Sequence, residues 1–276
     1  MLPPGASVLA RVGGGDINEA FRVVLADGEE AFVKTRADAG DGEYEAEAAG
    51  LRWLAEPGAL RTPRVLEVAS GYLALEWIDA GRLSAAGAEE LGRGLALTHA
   101  AGAPGFGGLD ADAPSRFGSL GLPNERTEDW PTFYAQRRLA PLARIASERG
   151  ALSRAGVEAV ERVCERIGEL AGPPEPPARL HGDLWSGNVM ADADGRPWLI
   201  DPSSYGGHRE VDLAMLRLFG APSERVFDSY EEQAPLAEGW RERVDLYQLL
   251  PLLVHALLFG GSYSAAAERT AMRYAG

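Results

Sequence analysis

The chain has 276 residues, of which 46% are hydrophobic and 25% charged, and its formal net charge is −14. This balance is typical of a globular protein, and the length suffices for one large domain or two modest lobes around a shared cleft. The negative charge argues against a general nucleic-acid binder, because neutralising phosphates requires a cationic face. The sequence has one cysteine, no leader-like N-terminal segment and no apolar run long enough to span a bilayer. It therefore predicts a soluble cytoplasmic protein without nucleic-acid or membrane partners.

The first eighty residues have the pattern of a small β-rich lobe with one helix. Asp27-Gly28 separates two strand-like segments and is a hairpin turn signal. A glycine, Gly81, lies in the connector that follows the last strand. The predicted elements are strands at 7–10, 20–25, 31–34, 64–69 and 72–77 and a helix at 41–56.

From residue 80 onward the pattern is mainly helical. The proline cluster at 173–177 ends one helix sharply and leads into His181, and a short hairpin follows at 189–200. The predicted helices lie at 84–101, 130–149, 153–171, 209–219, 223–232 and 238–260. The sequence therefore predicts an α+β fold, with an antiparallel β-rich N-terminal lobe at 1–79 and a larger, mainly helical C-terminal lobe at 80–276.

Three polar residues have the spacing of a phosphoryl-transfer site. Asp183 and Asn188 lie five apart on a tight loop that begins at His181, and Asp201 follows at the end of a strand. Phosphoryl transfer needs one carboxylate to orient and deprotonate a hydroxyl, and oxygen ligands that hold Mg²⁺ on the phosphates. The spacing is that of the protein-kinase catalytic loop, H-x-D-x-x-x-x-N. Singly, these residues could merely build a turn; together they predict Asp183 as base and Asn188 and Asp201 as Mg²⁺ ligands.

Lys34 is the only lysine in a chain that otherwise uses arginine for its cations. A lysine that persists against this bias can occupy a place where the planar arginine fork would not fit. The glycines at 13–15 lie between two strand-like segments and can bring backbone N–H groups close to phosphates. We therefore predict that Gly14, Gly15 and Lys34 bind the phosphates of ATP. A Walker-type P-loop is excluded, because Val33 rather than glycine precedes the lysine.

The helix after this lysine offers three glutamates as its ion-pair partner. Glu47 shares a helical face with Tyr44 and Leu51, and a glutamate within an apolar stripe is costly unless a cation pairs with it. Glu43 and Glu45 fit a solvated helix face. Glu47 is therefore the predicted partner.

The segment Glu76-Trp77-Ile78 closes the last strand of the small lobe, just before the connector. In a kinase-like architecture the backbone of this connector reads the adenine edge, and Trp77 or a neighbour lines the pocket. The segment can also be simply the end of an edge strand, and the two interpretations are compatible. We count Glu76, Trp77 and Ile78 among the predicted nucleotide-binding residues.

The sequence resembles the fructosamine kinase (ketosamine-3-kinase) family, a branch of the aminoglycoside-phosphotransferase-like kinases with the protein-kinase-like two-lobed fold. The resemblance covers nearly the whole chain, and the Asp-Leu-Trp-Ser-Gly-Asn run is far more particular to this family than the bare kinase spacing. The stretches that carry it are residues 14–18, 180–188, 200–205, 209–215 and 259–263.

The resemblance implies a kinase that uses ATP and Mg²⁺ to phosphorylate a sugar hydroxyl of a ketosamine, a small-molecule glycated amine. Phosphorylation would destabilise the adduct and release the amine, which implies a role in deglycation. By resemblance, Trp185 walls the sugar subsite, although core packing is an alternative for it. His255, Phe259 and Tyr263 close the acceptor pocket, with helix packing as the alternative for the first two. Asp212 supports the backbone of the catalytic loop.

Other functions remain open from the sequence. Asp201-Pro202 stands where protein kinases have Asp-Phe-Gly, and an activation-loop signature is missing, so a protein side chain is not the expected acceptor. An aminoglycoside, choline-like or other small-alcohol phosphotransferase is an alternative, and the acidic composition would suit a cationic acceptor. A non-catalytic nucleotide-binding scaffold is a further one, against which the intact Lys34, Asp183 and Asn188 weigh. The sequence does not specify an oligomeric state.

Overall fold

The computed structural model describes residues 1–13, 18–109, 115–117 and 120–276. Its N-terminal part contains one five-stranded antiparallel sheet, whose central strand is hydrogen-bonded to a neighbour on each side. In spatial order the strands are β1 (Ser7–Val12), β2 (Glu19–Val24), β3 (Glu30–Thr35), β5 (Tyr72–Glu76) and β4 (Val65–Ala69).

The β2–β3 hairpin turns where the sequence predicts it. Gly28 has a φ of 90°, which glycine adopts without steric cost, and Asp27 accepts a hydrogen bond from the Glu29 backbone N–H at 3.0 Å. The turn fixes the register of the returning strand, in which Lys34 lies opposite Ala20 on one side and Leu73 on the other. Lys34 therefore lies on the central strand of the sheet.

One helix, α1 (Glu43–Ala55), packs on this sheet. It starts after Gly42, which has a φ of 72°, and buries an apolar stripe against Leu73 and Leu75. Tyr44, Ala48 and Leu51 are the fully buried members of the stripe that share this cluster. The helix thus has a fixed rotation about its axis, which decides where Glu47 points.

The C-terminal part is built mainly of helices packed around two apolar clusters. The larger cluster includes Val163 and Leu253, and the smaller one includes Leu91 and Leu213. None of the helices in the described ranges is long and apolar enough to cross a bilayer. The helices are α2 (Ala85–Ala100), α3 (Trp130–Phe133) continued by π-helical Tyr134–Leu139 into α4 (Ala140–Arg149), α5 (Arg154–Leu170), α6 (Glu210–Leu218), α7 (Arg225–Gln233), α8 (Trp240–Phe259) and α9 (Ser262–Ala275).

Short strands carry the chain through the region between the lobes. They form a three-stranded sheet in the order β6–β12–β9, a β10–β11 hairpin and a β7–β8 hairpin. The segment from 181 to 188 therefore leaves one small sheet and enters another, with its two ends held in place. The strands are β6 (Gly107–Gly108), β7 (Ser115–Phe117), β8 (Leu120–Leu122), β9 (Ala178–Leu180), β10 (Val189–Ala191), β11 (Pro197–Leu199) and β12 (Tyr205–Gly207).

The architecture confirms the predicted α+β fold, with an antiparallel β-rich part and one helix followed by a mainly helical part. The division at residue 79 stays a prediction; Gly81 already donates its N–H to the Ala191 carbonyl at 2.8 Å. The sequence prediction lacked α9. Its buried face consists of Ala267, Ala271 and Ala275, and alanines give only a weak hydrophobic period.

Candidate active site

The catalytic-loop segment turns sharply directly after β9. Gly182 has a φ of 83°, and a Cβ at this position would lie 2.1 Å from the Ser203 carbonyl oxygen. Only glycine fits there, because a side chain would be strained and would collide with backbone. The turn presents Asp183 two residues after the buried His181.

Asp212, on the first turn of α6, holds this loop through its backbone. Its carboxylate is fully buried and accepts hydrogen bonds from the N–H groups of His181 at 2.7 Å and Gly182 at 2.9 Å. The His99 ring contacts the same carboxylate at 3.2 Å and Tyr230 at 2.8 Å. Burial alone would raise the pKa of Asp212, but the hydrogen bond and charge of His99 and the backbone donor lower it, so this carboxylate stays ionised.

Asp183 and Asn188 face each other across the loop. The Asn188 amide nitrogen donates to the Asp183 carboxylate at 3.1 Å and to its carbonyl at 2.8 Å. Burial raises the pKa of Asp183 to about 7, and the carboxylates of Asp201 and Asp212 act in the same direction. A general base works best when its pKa lies near the working pH, so this carboxylate is suited to accept a proton from a hydroxyl.

Lys34 joins the two lobes by ionic contacts. Its ammonium contacts Glu47 on α1 and lies 3.0 Å from an Asp201 carboxylate oxygen after β11. Burial alone would lower the pKa of Lys34, but the charges of Glu47 and Asp201 raise it above its usual value. Lys34 therefore carries a fixed positive charge between two carboxylates, where phosphate oxygens would find a cation.

Asp201 is held in an unusual backbone conformation. Its φ of 52° is the only positive value among the non-glycine residues of the described ranges. Such a conformation costs about 1–3 kcal/mol and persists only where the surroundings impose it. It turns the carboxylate toward Lys34, while the side chain remains half-exposed to the cleft.

Helix α1 touches the site along its whole length through one face. At its start, Tyr44 donates to the Asn18 side chain at 3.0 Å, at the end of the glycine-rich segment. One turn later Glu47 contacts Lys34. A turn further on, Gly50 lies so close to Ser204 that a Cβ would be 3.1 Å from its hydroxyl oxygen.

The C-terminal end of α1 is fastened by Arg179, which lies on β9 just before the catalytic loop. This arginine is buried, donates to the Trp53 carbonyl, and reaches the Glu56 carboxylate at 2.8 Å. Its guanidinium lies 4.5 Å from the centroid of the Trp53 ring. The strand that delivers the catalytic loop thus also caps the helix that carries Glu47.

The donor set of the cleft fits a magnesium ion bound together with phosphates. Asn188 and the half-exposed Asp201 offer side-chain oxygens, which Mg²⁺ prefers, and Mg²⁺ sites of this kind use only one or two carboxylates. Within the described ranges there is no group of three or more His, Cys, Asp and Glu side chains that could bind a metal. A closed all-protein metal cage is therefore not found in these ranges.

The predicted nucleotide-side residues of the small lobe fall into three groups. Gly14 and Gly15 lie outside the described residues. The Glu76 carboxylate accepts from the Arg64 N–H at 3.0 Å, so this side chain points to its neighbouring strand. Trp77 donates its indole N–H to Asp79 at 2.9 Å, and Ile78 is partly buried beside it in the connector.

The residues predicted for the acceptor subsite lie among aromatic side chains. Trp185 is 39% exposed rather than packed in a core, and its indole lies over Gly187, where a Cβ would be 2.2 Å from the ring. The Phe219 ring lies 6.0 Å from Trp185 and 4.8 Å from His255 between centroids. Tyr263 lies 5.0 Å from the His255 ring.

A cavity of about 150 Å³ opens beside Gly182 and Asp183. His255 and Phe259 line it, whereas Tyr263 contacts the His255 ring and is not among the lining residues. The Nδ1 atom of His255 is buried without a hydrogen-bond partner among the described residues. Burial lowers the pKa of His255, so the ring is neutral.

Sequence reasoning missed His99, Gly50, Arg179 and Phe219. Each acts through a contact far along the chain: His99 with Asp212, Gly50 with Ser204, Arg179 with α1, and Phe219 with Trp185. Only Gly50 gave a local signal in the sequence. A glycine in a helix interior is unfavourable unless close packing requires it, so its presence indicates a close contact.

The described fold and cleft place the chain in the protein-kinase-like class. Aminoglycoside phosphotransferase APH(4)-Ia aligns over 98% of this chain and 94% of its own with a TM-score of 0.61, at 18% identity, which shows a shared fold. A much closer structure, from Thermobifida fusca and described as a "putative fructosamine-3-kinase", covers 98% of this chain and 93% of its own with a TM-score of 0.90 and 46% identity.

The chain belongs to the fructosamine kinase family, whose family model matches residues 6–275. A "Probable ketoamine kinase" of Lactiplantibacillus plantarum is 37% identical over 95% of this chain and 92% of its own length. A "Protein-ribulosamine 3-kinase, chloroplastic" of Oryza sativa subsp. indica is 35% identical over 94% of this chain and 76% of its own. The match confirms the predicted family and fold.

Proposed function

We propose that the protein is an ATP-dependent kinase that phosphorylates a sugar hydroxyl of ketosamines, the adducts of sugars such as fructose or ribulose with amines. The observation that carries the proposal is the cleft itself. The described structure brings together Lys34 from strand β3 and Asp183 and Asp201 from the loops after β9 and β11, next to a cavity that can take an acceptor. Membership of the fructosamine kinase family supports the choice of acceptor.

In this proposal the residues divide the work of phosphoryl transfer. Lys34, fixed by Glu47, binds the phosphate oxygens of ATP, with backbone N–H groups of Gly14 and Gly15 covering them. Asp183 orients the acceptor hydroxyl and takes its proton as the hydroxyl oxygen bonds to the γ-phosphorus. The bond between that phosphorus and the bridging oxygen breaks, and ADP leaves with the electron pair.

Asn188 and Asp201 would bind Mg²⁺, whose positive charge would neutralise the phosphate oxygens. Asn188 also orients the base, since its amide donates to the Asp183 carboxylate. The connector from Glu76 to Ile78 would contact the adenine through its backbone, with Trp77 beside it. Residues 1–79 would thus form the nucleotide-binding lobe, and residues 80–276 the lobe with the catalytic loop and acceptor site.

On the acceptor side, Trp185 would lie against the C–H face of the sugar, because an aromatic ring suits an apolar sugar face. His255 and Phe259 line the cavity, and Tyr263 would hold the His255 ring by a ring contact. Phosphorylation of the ketosamine destabilises the adduct and releases the amine. The physiological role would then be deglycation in the cytoplasm.

An acceptor panel tests this proposal. ATP consumption is measured with free ribulosamines, fructosamines, aminoglycosides and choline, and Mg·ATP binding is measured separately. We expect stimulation by ketosamines. Stimulation by an aminoglycoside or choline alone would show that the acceptor is not a ketosamine, while the assignment as a kinase would hold. Binding of Mg·ATP without turnover of any acceptor would favour a non-catalytic nucleotide-binding scaffold.

A further inference from the structure

The cavity beside Asp183 is chemically uneven. One end is the catalytic turn, Gly182 and Asp183, and the remaining lining comes from helices α6 and α8. Those helices contribute mainly apolar side chains, among them Met215, Leu250 and Val254. The end near Asp183 is therefore polar, and the rest of the lining is a hydrocarbon surface apart from His255.

The described residues that line the cavity include no Lys or Arg side chain. Apart from Asp183 and the neutral His255, the described residues that line the cavity have no ionisable side chain. A carboxylate placed in this space would be removed from water without a positive partner, which is strongly unfavourable. A polyol chain would be poorly served as well, because its several hydroxyl groups need hydrogen-bond partners and, among the described lining residues, His255 is the one polar side chain besides Asp183.

The size and rings of the cavity indicate what does fit. A volume of about 150 Å³ equals that of an apolar cavity that takes up benzene. At its rim, Phe259 is 61% exposed, and its ring lies 5.5 Å from His255 between centroids. Exposed aromatic side chains at the mouth of an apolar cavity are typical of ligand sites.

The position of the cavity relates it to one part of a ketosamine, and this step rests on the proposed function. The hydroxyl on carbon 3 must reach Asp183, and the amine nitrogen is attached to carbon 1, only two carbons away. The amine substituent therefore leaves the reacting centre within a few ångströms of the cavity mouth. The hydroxylated end of the sugar extends from carbon 3 in the other direction.

We propose that this cavity is the subsite for the amine-side substituent of the acceptor, and that it selects an apolar, ring-sized group and rejects a carboxylate next to the amine. The substrate class is thus ketosamines of apolar or aromatic amines. Adducts formed on the α-amino group of an amino acid are disfavoured, because their carboxylate would enter the cavity.

The test uses ribulosamines that share the sugar and differ in the amine: benzylamine, ethanolamine and glycine. We expect kcat/KM to fall in that order, with the benzylamine adduct favoured over the glycine adduct by at least about tenfold. Phe259→Lys places a cation at the mouth and removes a ring, at a position exposed enough to tolerate the change. This variant should reverse the order of the kcat/KM values or make the three values more nearly equal.

The matched control is Met272→Lys, which makes a similar change at a 47% exposed residue of α9 that is not in the lining. It should leave the order unchanged. Equal kcat/KM for the three adducts, or a preference for glycine in the unaltered protein, would overturn the inference while leaving the kinase assignment intact. Absence of turnover with every ketosamine, together with turnover of another alcohol, would overturn the proposed function and this inference with it.

Discussion

The two sides of the cleft are built from different interactions. On the side predicted for the nucleotide, Lys34 lies between Glu47 and Asp201, and Arg179 ties the helix of Glu47 to the strand before the catalytic loop. On the side predicted for the acceptor, rings and aliphatic side chains surround a cavity in which Asp183 is the only carboxylate among the described lining residues. The first arrangement specifies positions through charge pairs. The second specifies only the size and polarity of the bound group. Changes in this lining would therefore alter which acceptor a kinase takes without altering the phosphoryl transfer itself.

The largest expected effect comes from Asp183, which belongs to both sides. Asp183→Asn keeps the shape but removes the base, so kcat should fall by roughly 10²–10⁴ while Mg·ATP binding is retained. Turnover and nucleotide binding are measured on the same preparation. Asp194→Asn, at an exposed turn residue, is the control and should behave as the unaltered protein. Retained activity in Asp183→Asn would exclude Asp183 as base.

The ion pair of the nucleotide side gives the next effect. Glu47→Gln removes the charge that fixes Lys34 and should lower kcat/KM for ATP on the order of 10², similar to the loss of one charge-stabilising group at an active site. Glu45→Gln alters an exposed residue of the same helix and should have no effect. If the two variants have the same kinetics, the role of Glu47 as partner of Lys34 is wrong.

A smaller effect is expected at Arg179, which acts through α1 and touches no reacting group. Arg179→Met should raise KM for ATP and lower kcat/KM for ATP by roughly five- to tenfold. This loss is smaller than that expected for Glu47→Gln, because Arg179 acts indirectly and does not itself stabilise charge at the site. The apparent affinity for the acceptor should change little. Arg179→Lys should recover part of the loss, because an ammonium can still reach the Trp53 carbonyl or Glu56.

The control for Arg179 is Arg166→Met. Arg166 donates to the Tyr274 carbonyl near the end of α9 at 3.0 Å, a similar arginine-to-helix contact far from the cleft. A loss of thermal stability without a change in KM for ATP is expected there. Equal kinetic changes in both variants would show that Arg179 matters only for folding.

The smallest effect on activity, and a clear one on stability, is expected from His208 in the helical lobe. Burial lowers the pKa of His208 to about 4, and Arg243 and Arg209 act in the same direction while Glu175 opposes them. The unfolded chain binds this proton near pH 6.5, so the folded state loses stability as the pH falls from about 6.5 to 4, by ~3 kcal/mol at most. Urea unfolding at a series of pH values measures this.

His208→Asn should reduce that pH dependence by about one proton between pH 6.5 and 4. The variant also loses the stacking of His208 on Tyr247, whose rings lie 5.3 Å apart, so its stability is lower at every pH. The diagnostic quantity is therefore the slope with pH and not the absolute stability. An unchanged slope would assign the acid sensitivity to other groups.

The sequence predicted one side of this comparison better than the other. Asp183, Asn188 and Asp201 are close in the chain, so their spacing alone indicates phosphoryl transfer, and the apolar stripe of α1 selects Glu47. His99 and Arg179 act across more than a hundred residues of chain, where no local pattern indicates a contact. The cavity lining could not be predicted either. Leu250 and Val254 have the same helical period whether they face a packed core or a cavity, so the sequence pattern does not distinguish the two.

The most direct test of the central claim is the stoichiometry of transfer to a ketosamine. The protein is incubated with Mg·ATP and the ribulosamine of benzylamine, and ADP and the phosphorylated sugar are quantified by ³¹P NMR. We predict one phosphoester on the hydroxyl of carbon 3 for each ADP formed at early times, before the destabilised adduct breaks down, and its loss in Asp183→Asn. ADP formation that is independent of the acceptor, or a phosphoester that still forms in Asp183→Asn, would contradict this account.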